Sequence, residues 1–311
     1  MGTPYAYFRR QFMPLSEAKI GVMTHAFNYG TAVFEGIRGN WNEEEGQVYL
    51  FRMKEHYQRL RRSCRIMLID LPYDDEELAA ITTRLVELSG FQEDVYVRPL
   101  AYKSSEVLGV RLHNLEDDFL IFVAPFGPYL DVEKGARCCT SSWRRVEDTG
   151  IPARAKITGI YANSALAKTE ANLNGFDEAI MLNADGHVSE GSGENIFIVV
   201  DGKIITPPPS DNILVGITRD AVMQLAREEL GIETVERQID RSELYIADEC
   251  FMTGTAAHVT PVVEVDRRPV GDGTPGPVTR QLMRLYFDTL IGKNPKYAHW
   301  LTPVYAQVQK V

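Results

Sequence analysis

After residue 124 the segment Pro125-Phe126-Gly127-Pro128-Tyr129 interrupts a strand-like run with residues that neither continue a ladder nor open a helix. This break constrains the fold most, because 311 residues suffice for two domains of ordinary size. It predicts a small N-terminal α/β lobe over residues 1–124, a linker over 125–135 and a larger C-terminal α/β lobe over 136–311. In the first lobe, 53–66 carries Tyr57, Leu60 and Cys64 at helical spacing. Residues 74–88 open with acids, place Leu78, Ile81, Leu85 and Leu88 on one face, and stop at Gly90. Strands are expected over 94–102 and 118–125. In the second lobe, a strand over 136–142 precedes a helix over 161–173 that Asn174-Gly175 stops. Apolar runs over 178–182 and 195–200 follow, with Asp201-Gly202 as a hairpin turn, and then a helix over 219–230 before Gly231. The expected fold class is α/β, with α+β mixing, in two lobes.

Composition excludes more than it selects. The apolar fraction of 44% and charged fraction of 24% describe a soluble globular chain rather than a disordered or fibrous one. A net charge of −10 argues against nucleic acid or an anionic membrane surface as partner, so any phosphate must be bound locally. No signal-type apolar run follows Arg9 and Arg10, and no membrane-length apolar segment occurs. Cys64, Cys138, Cys139 and Cys250 form no Cys-x-x-Cys, and the histidines stand singly, so neither a disulfide framework nor a metal site is expected. A reducing cytoplasm is the expected location.

The chemistry concentrates in Lys156, Tyr161 and Glu190, the last opening the glycine-rich run Glu190-Gly191-Ser192-Gly193-Glu194-Asn195-Ile196-Phe197. A lysine amine can form a Schiff base with an aldehyde, and a buried carboxylate can keep a pyridine nitrogen protonated. Those are the two demands of pyridoxal phosphate chemistry. Tyr161 could hydrogen-bond the ring's phenolate oxygen, with Gly159 letting the backbone bend between it and Lys156. Alone, a lysine is most often a solvated surface charge.

Thr218, at the predicted start of a helix, could offer its hydroxyl and the free amides of the first turn to a phosphate, or serve only as an N-cap. Thr253-Gly254-Thr255-Ala256-Ala257 offers amides and a hydroxyl at close approach, or is only a tight turn. Arg59 could serve the same phosphate, or pair with Glu55 on a helix surface. Tyr96 and Arg98 share a strand face and could hold a carboxylate, while Phe34 could be an apolar wall or core. Gly191 and Gly193 lack the third glycine and the following helix of a dinucleotide fingerprint. No phosphate loop and no Gly-x-Ser-x-Gly elbow is present.

From Thr24 to Val263 the chain resembles the fold-type IV pyridoxal-phosphate enzymes, or class IV aminotransferases, whose fold is D-amino acid aminotransferase-like. Within them it looks most like the branched-chain amino acid aminotransferases. The resemblance is carried by 25–30 with Tyr29, Phe34-Glu35-Gly36-Ile37-Arg38, His56-Tyr57-Gln58-Arg59-Leu60, Tyr96-Val97-Arg98-Pro99 and Leu108-Gly109-Val110. It continues through Lys156 with Tyr161, the 189–197 block, Gly216-Ile217-Thr218-Arg219 and Gly254-Thr255-Ala256-Ala257. It implies pyridoxal 5'-phosphate at the domain interface, Lys156 as the Schiff-base lysine and proton carrier, Glu190 at the pyridine nitrogen and Tyr161 near the ring hydroxyl. Arg59, Ile217, Thr218 and Thr255 would hold the phosphate. Tyr96 and the amides at Thr255-Ala256 would take the substrate α-carboxylate, Arg98 the distal carboxylate of glutamate, and Phe34 with Tyr129 the aliphatic side chains. The implied reaction is a ping-pong exchange between a branched-chain L-amino acid and 2-oxoglutarate, in a homodimer where Tyr29 and the 108–111 loop reach the partner's site. Ile160, where many branched-chain members have asparagine, and Phe126, where tryptophan is usual, leave the preferred amino acid open. D-amino acid and R-selective amine transaminases and aminodeoxychorismate lyase share the cofactor residues.

Overall fold

The computed structural model describes residues 2–127 and 133–306. The chain divides into two compact units, one of Met1–Gly127, Ala155–Gly159 and Asp288–Val311, the other of Pro128–Arg154 and Ile160–Phe287. The sequence reading places everything after 136 in one lobe. Residues 155–159 and 288–311 group with the first unit instead: Ile157 bridges Val33, and Leu301–Pro303 pairs with the strand Gln47–Phe51.

The first unit is built on β1 (Tyr5–Phe8), β2 (Gln11–Pro14), β3 (Ala32–Phe34), β4 (Ile37–Asn42), β5 (Gln47–Phe51), β6 (Val95–Lys103) and β7 (Asp117–Pro125). With the late strand Leu301–Pro303 on β5, they form an eight-stranded antiparallel sheet in which β3 and β4 both pair with β6. Its helices are α1 (His25–Tyr29), α2 (Met53–Ile66) and α3 (Asp75–Ser89). The α3 helix begins at a reciprocal capping box, Asp74 with Glu77, and ends on Gly90 in the left-handed region, as the acidic start and glycine stop predict. Along β6, Val95 and Val97 are fully buried while Tyr96 and Arg98 are half-buried on the opposite face. Val33 bridges Ile157, which draws 155–159 onto the edge of β3.

The second unit is built on β8 (Ala136–Thr140), β9 (Glu178–Leu182), β10 (Val188–Gly191), β11 (Asn195–Val200), β12 (Lys203–Thr206), β13 (Thr234–Glu236), β14 (Glu249–Gly254), β15 (His258–Val265) and β16 (Arg268–Pro269). These make a nine-stranded mixed sheet, ordered β10-β9-β8-β15-β14-β11-β12-β13 with β16 on β15. Its helices are α4 (Tyr161–Leu173), α5 (Ile217–Leu230) and α6 (Pro277–Leu290), the last three residues of α6 being counted with the first unit; α4 packs on β9, and α5 on β13 and β14. Every residue of β9 is buried, as a strand covered on both faces requires. Phe197 and Phe251 stack across β11 and β14 with ring centres 4.8 Å apart. Asp201 and Gly202 both take positive φ, 49° and 71°, the paired left-handed geometry that a two-residue hairpin demands. No helix among the described residues is long and apolar enough to cross a membrane.

Candidate functional site

In the first unit Lys156 is fixed through its backbone. Its amide donates to Ser63 Oγ at 3.1 Å and its carbonyl accepts from the Phe34 amide at 3.0 Å. The half-buried side chain brings Nζ to 5.0 Å from the Phe34 ring centre. The Arg98 guanidinium lies 4.3 Å from the same ring and donates from Nε and Nη2 to Tyr96 Oη at 3.2 and 2.9 Å. Tyr96 accepts both bonds, so its own proton remains available to an anion. Strand alternation thus groups Tyr96 with Arg98, and the ladder brings Phe34 and Lys156 alongside. Gly36 makes room for this arrangement, since a Cβ there would lie 2.2 Å from Tyr96 Oη.

Gly159 works differently from the expected bend. Its φ is not positive; instead its amide donates to Gly30 O at 3.2 Å, and a Cβ on Gly30 would sit 2.8 Å from Gly159 Cα. The two glycines permit a close backbone approach that seats the lysine segment. Arg59 is buried rather than paired with Glu55, which takes Arg52. Arg59 forks onto Glu35, which His56 also contacts. Tyr29 Oη accepts from the Gly109 amide at 3.1 Å, and His25 links Gly109 O to Thr31 Oγ1 with two 2.7 Å contacts, so the 108–111 loop is tied to α1. Tyr129 lies outside the described residues.

In the second unit Glu190 stands on β10, which ends the sheet, just after a register shift between Val188 and Glu190. Arg145 Nη2 reaches Glu190 Oε1 at 2.7 Å, while Asn195 Nδ2 and the Leu214 amide donate to Oε2 at 3.2 and 3.0 Å. Three donors around one buried carboxylate hold it charged and fixed in direction. Four residues on, Glu194 is the opposite case: burial first, and the neighbouring Glu178 charge second, push its carboxyl up to about 8.

Thr218 is not the N-cap. The α5 helix starts at Ile217 with Gly216 as its cap, and no side chain caps it. Asn195 causes the shift, because a Cβ on Gly216 would lie 2.1 Å from Asn195 Oδ1. The first-turn amides of Ile217 and Thr218 therefore have no side-chain acceptor at the cap, and the buried Thr218 hydroxyl lies 3.5 Å from Tyr286 Oη. Thr255 and Ala256 form the tight turn joining β14 to β15, preceded by the buried Thr253, whose Oγ1 has no partner among the described residues. Tyr161 opens α4 in a half-buried position.

Glu35, His56, Arg145 and Asn195 were not singled out in the sequence. Glu35, His56 and Asn195 stand in quoted motifs without a role, and Arg145 carries no spacing signal. Taken by itself, the first unit offers an amine and a buried guanidinium, and the second offers a fixed carboxylate and a helix N-terminus without a side-chain cap.

The family model for class IV amino-transferases matches residues 32–265. A relative from Aquifex aeolicus (strain VF5), described as a "probable branched-chain-amino-acid aminotransferase", is 53% identical over 301 residues, covering 97% of each chain. The branched-chain aminotransferase of Thermoproteus uzoniensis, solved with norvaline, aligns at a TM-score of 0.93 and 46% identity over 98% of this chain and 100% of that one. The T.th. branched-chain amino acid aminotransferase, complexed with N-(5'-phosphopyridoxyl)-L-glutamate, aligns at 0.92 and 42% over 97% and 99%.

Proposed function

The chain belongs to the class IV aminotransferases, and from that membership we propose a pyridoxal-phosphate-dependent transaminase that moves an amino group between a branched-chain L-amino acid and 2-oxoglutarate by a ping-pong mechanism. The observation that carries the substrate reading is the Phe34 ring with Lys156 Nζ 5.0 Å and the Arg98 guanidinium 4.3 Å from its centre. One pocket then offers an aromatic wall to a leucine side chain and a cation to the distal carboxylate of glutamate. The glutamate conjugate held by the T.th. enzyme supports the second substrate.

When bound, pyridoxal phosphate supplies an aldehyde for an amine and a protonated ring that withdraws electrons from the substrate α-carbon. Lys156 Nζ would be the amine that meets the aldehyde and the group that would carry the substrate α-proton. Glu190, whose carboxylate Arg145, Asn195 and the Leu214 amide fix in direction, would keep a proton at the ring nitrogen. Arg59, the Ile217 and Thr218 amides and Thr255 would hold the phosphate, and Tyr161 would donate to the ring oxygen. Tyr96, with its remaining proton, and the Thr255-Ala256 amides take the α-carboxylate. The four cysteines are free and buried, which suits a reducing compartment. The exposed Val22, Phe27, Leu108 and Val110 of the first unit suit a homodimer in which Tyr29 and the 108–111 loop reach the partner's site.

The test is the visible and near-ultraviolet spectrum of the purified protein. L-leucine should bleach its yellow colour and 2-oxoglutarate restore it. A coloured protein indifferent to L-leucine would move the substrate to D-amino acids or amines. A colourless protein that takes up no cofactor would overturn the reading.

A further inference from the structure

Glu35 lies between β3 and β4 with its side chain fully excluded from solvent. Arg59 Nε reaches Oε1 and Nη2 reaches Oε2, each at 2.7 Å, and His56 Nδ1 reaches Oε2 at 2.7 Å. A fork that uses the Nε and Nη2 edge fixes the guanidinium plane and turns Nη1 away from the carboxylate. Burial would raise the Glu35 carboxyl, but the Arg59 charge and the hydrogen bonds from Arg59 and His56 outweigh it and bring it down to about 2. Burial lowers the His56 imidazole, and because an ionised carboxylate can only accept, the proton of this contact sits on His56 Nδ1, which donates to Glu35.

Glu35 is itself anchored. Its amide donates to Pro99 O at 2.9 Å, and the preceding amide, of Phe34, donates to the Lys156 carbonyl at 3.0 Å. Two adjacent residues thus tie one strand end to the arginine and to the lysine segment. A buried ion pair is seldom more stabilising than an apolar pair of the same volume, so stability alone does not account for this arrangement, whereas orientation does.

We propose that Glu35, with His56 as its second donor, is the positioning residue for Arg59, holding the guanidinium aimed for the cofactor phosphate before the cofactor arrives. This rests on Arg59 being a phosphate ligand, as in the function proposed above.

The test compares pyridoxamine 5'-phosphate with pyridoxamine, neither of which condenses with a lysine, by calorimetric titration of the full chain freed of cofactor. The ratio of their dissociation constants isolates recognition of the phosphate from general damage to the fold, which weakens both ligands. Wild type should favour the phosphorylated ligand strongly, and Glu35→Gln should cut that preference by about tenfold or more. Arg59→Met should cut it at least as far, and the double variant, which removes both charges, should lose nothing beyond Arg59→Met. A wild-type ratio near one would overturn Arg59 as a phosphate ligand. A strong wild-type preference that Glu35→Gln leaves intact, or a double variant falling well below Arg59→Met, would overturn the positioning role alone. Should Glu35→Gln not fold, His56→Leu reads the same ratio, with a fall of about threefold or more expected and an unchanged ratio overturning the proposal.

Discussion

Arg98 is the residue on which the two-substrate reading turns. Its guanidinium is half-buried, bonded to Tyr96 Oη and stacked over Phe34, so a carboxylate entering beside Phe34 meets a cation already directed by two hydrogen bonds. Arg98→Ala should therefore lower kcat/KM for glutamate about tenfold to a hundredfold more than for leucine, since a charge-assisted pair is worth roughly 1.5–3 kcal/mol. Steady-state kinetics with both amino donors checks this, and equal losses would remove Arg98 from the role. Lys156 and Glu190 stood out in the sequence as a candidate amine and carboxylate, the second marked by a glycine-rich run, and the structure shows the Glu190 carboxylate buried against Arg145. Arg145 was not legible. It is buried against Glu190, yet nothing local distinguishes it from Arg144 beside it, which bonds the Asn183 carbonyl instead. Only the tertiary partner separates the two.

Elements were legible where periodicity and end signals agreed. The α2 helix runs over the 53–66 expected from its apolar spacing, and α4 over 161–173, ended by Asn174-Gly175. The start of α5 was misplaced by two residues, because the requirement for glycine at 216 comes from Asn195, a neighbour only in space. The strand Leu301–Pro303 is three residues long and pairs with β5 some 250 residues earlier, a contact without a local pattern. The contact between Gly30 and Gly159 is of the same kind and can be tested. Gly30 has φ 66° and no room for a Cβ against Gly159 Cα. Gly30→Ala should thus cost roughly 1–3 kcal/mol and weaken cofactor retention by shifting the segment that carries Lys156. Urea denaturation measures the first effect. A wild-type midpoint would mean that the backbone approach is not required.

At the scale of the whole molecule, two buried carboxyls oppose one another as pH changes. Glu35 is depressed to about 2, mainly by Arg59 acting against burial, so its contribution is present above the unfolded carboxylate range and lost as pH falls through the folded value. Glu194 is raised to about 8 by burial and then by Glu178, so its folded form keeps a proton that the unfolded chain has already released. That contribution is full below the unfolded value and is lost as pH rises through the folded one. Together the two contributions are greatest near the unfolded carboxylate value, about 4 to 5. The alkaline limb belongs to Glu194, whose Oε2 accepts from the Gly193 amide at 3.0 Å, a bond that the neutral amide oxygen of glutamine can also accept. Glu194→Gln should consequently keep its fold and remove a fall of a few degrees in Tm that wild type shows between about pH 5 and about pH 9. Thermal scans at fixed cofactor concentration decide the matter, and parallel slopes for the two proteins would place the titrating group elsewhere.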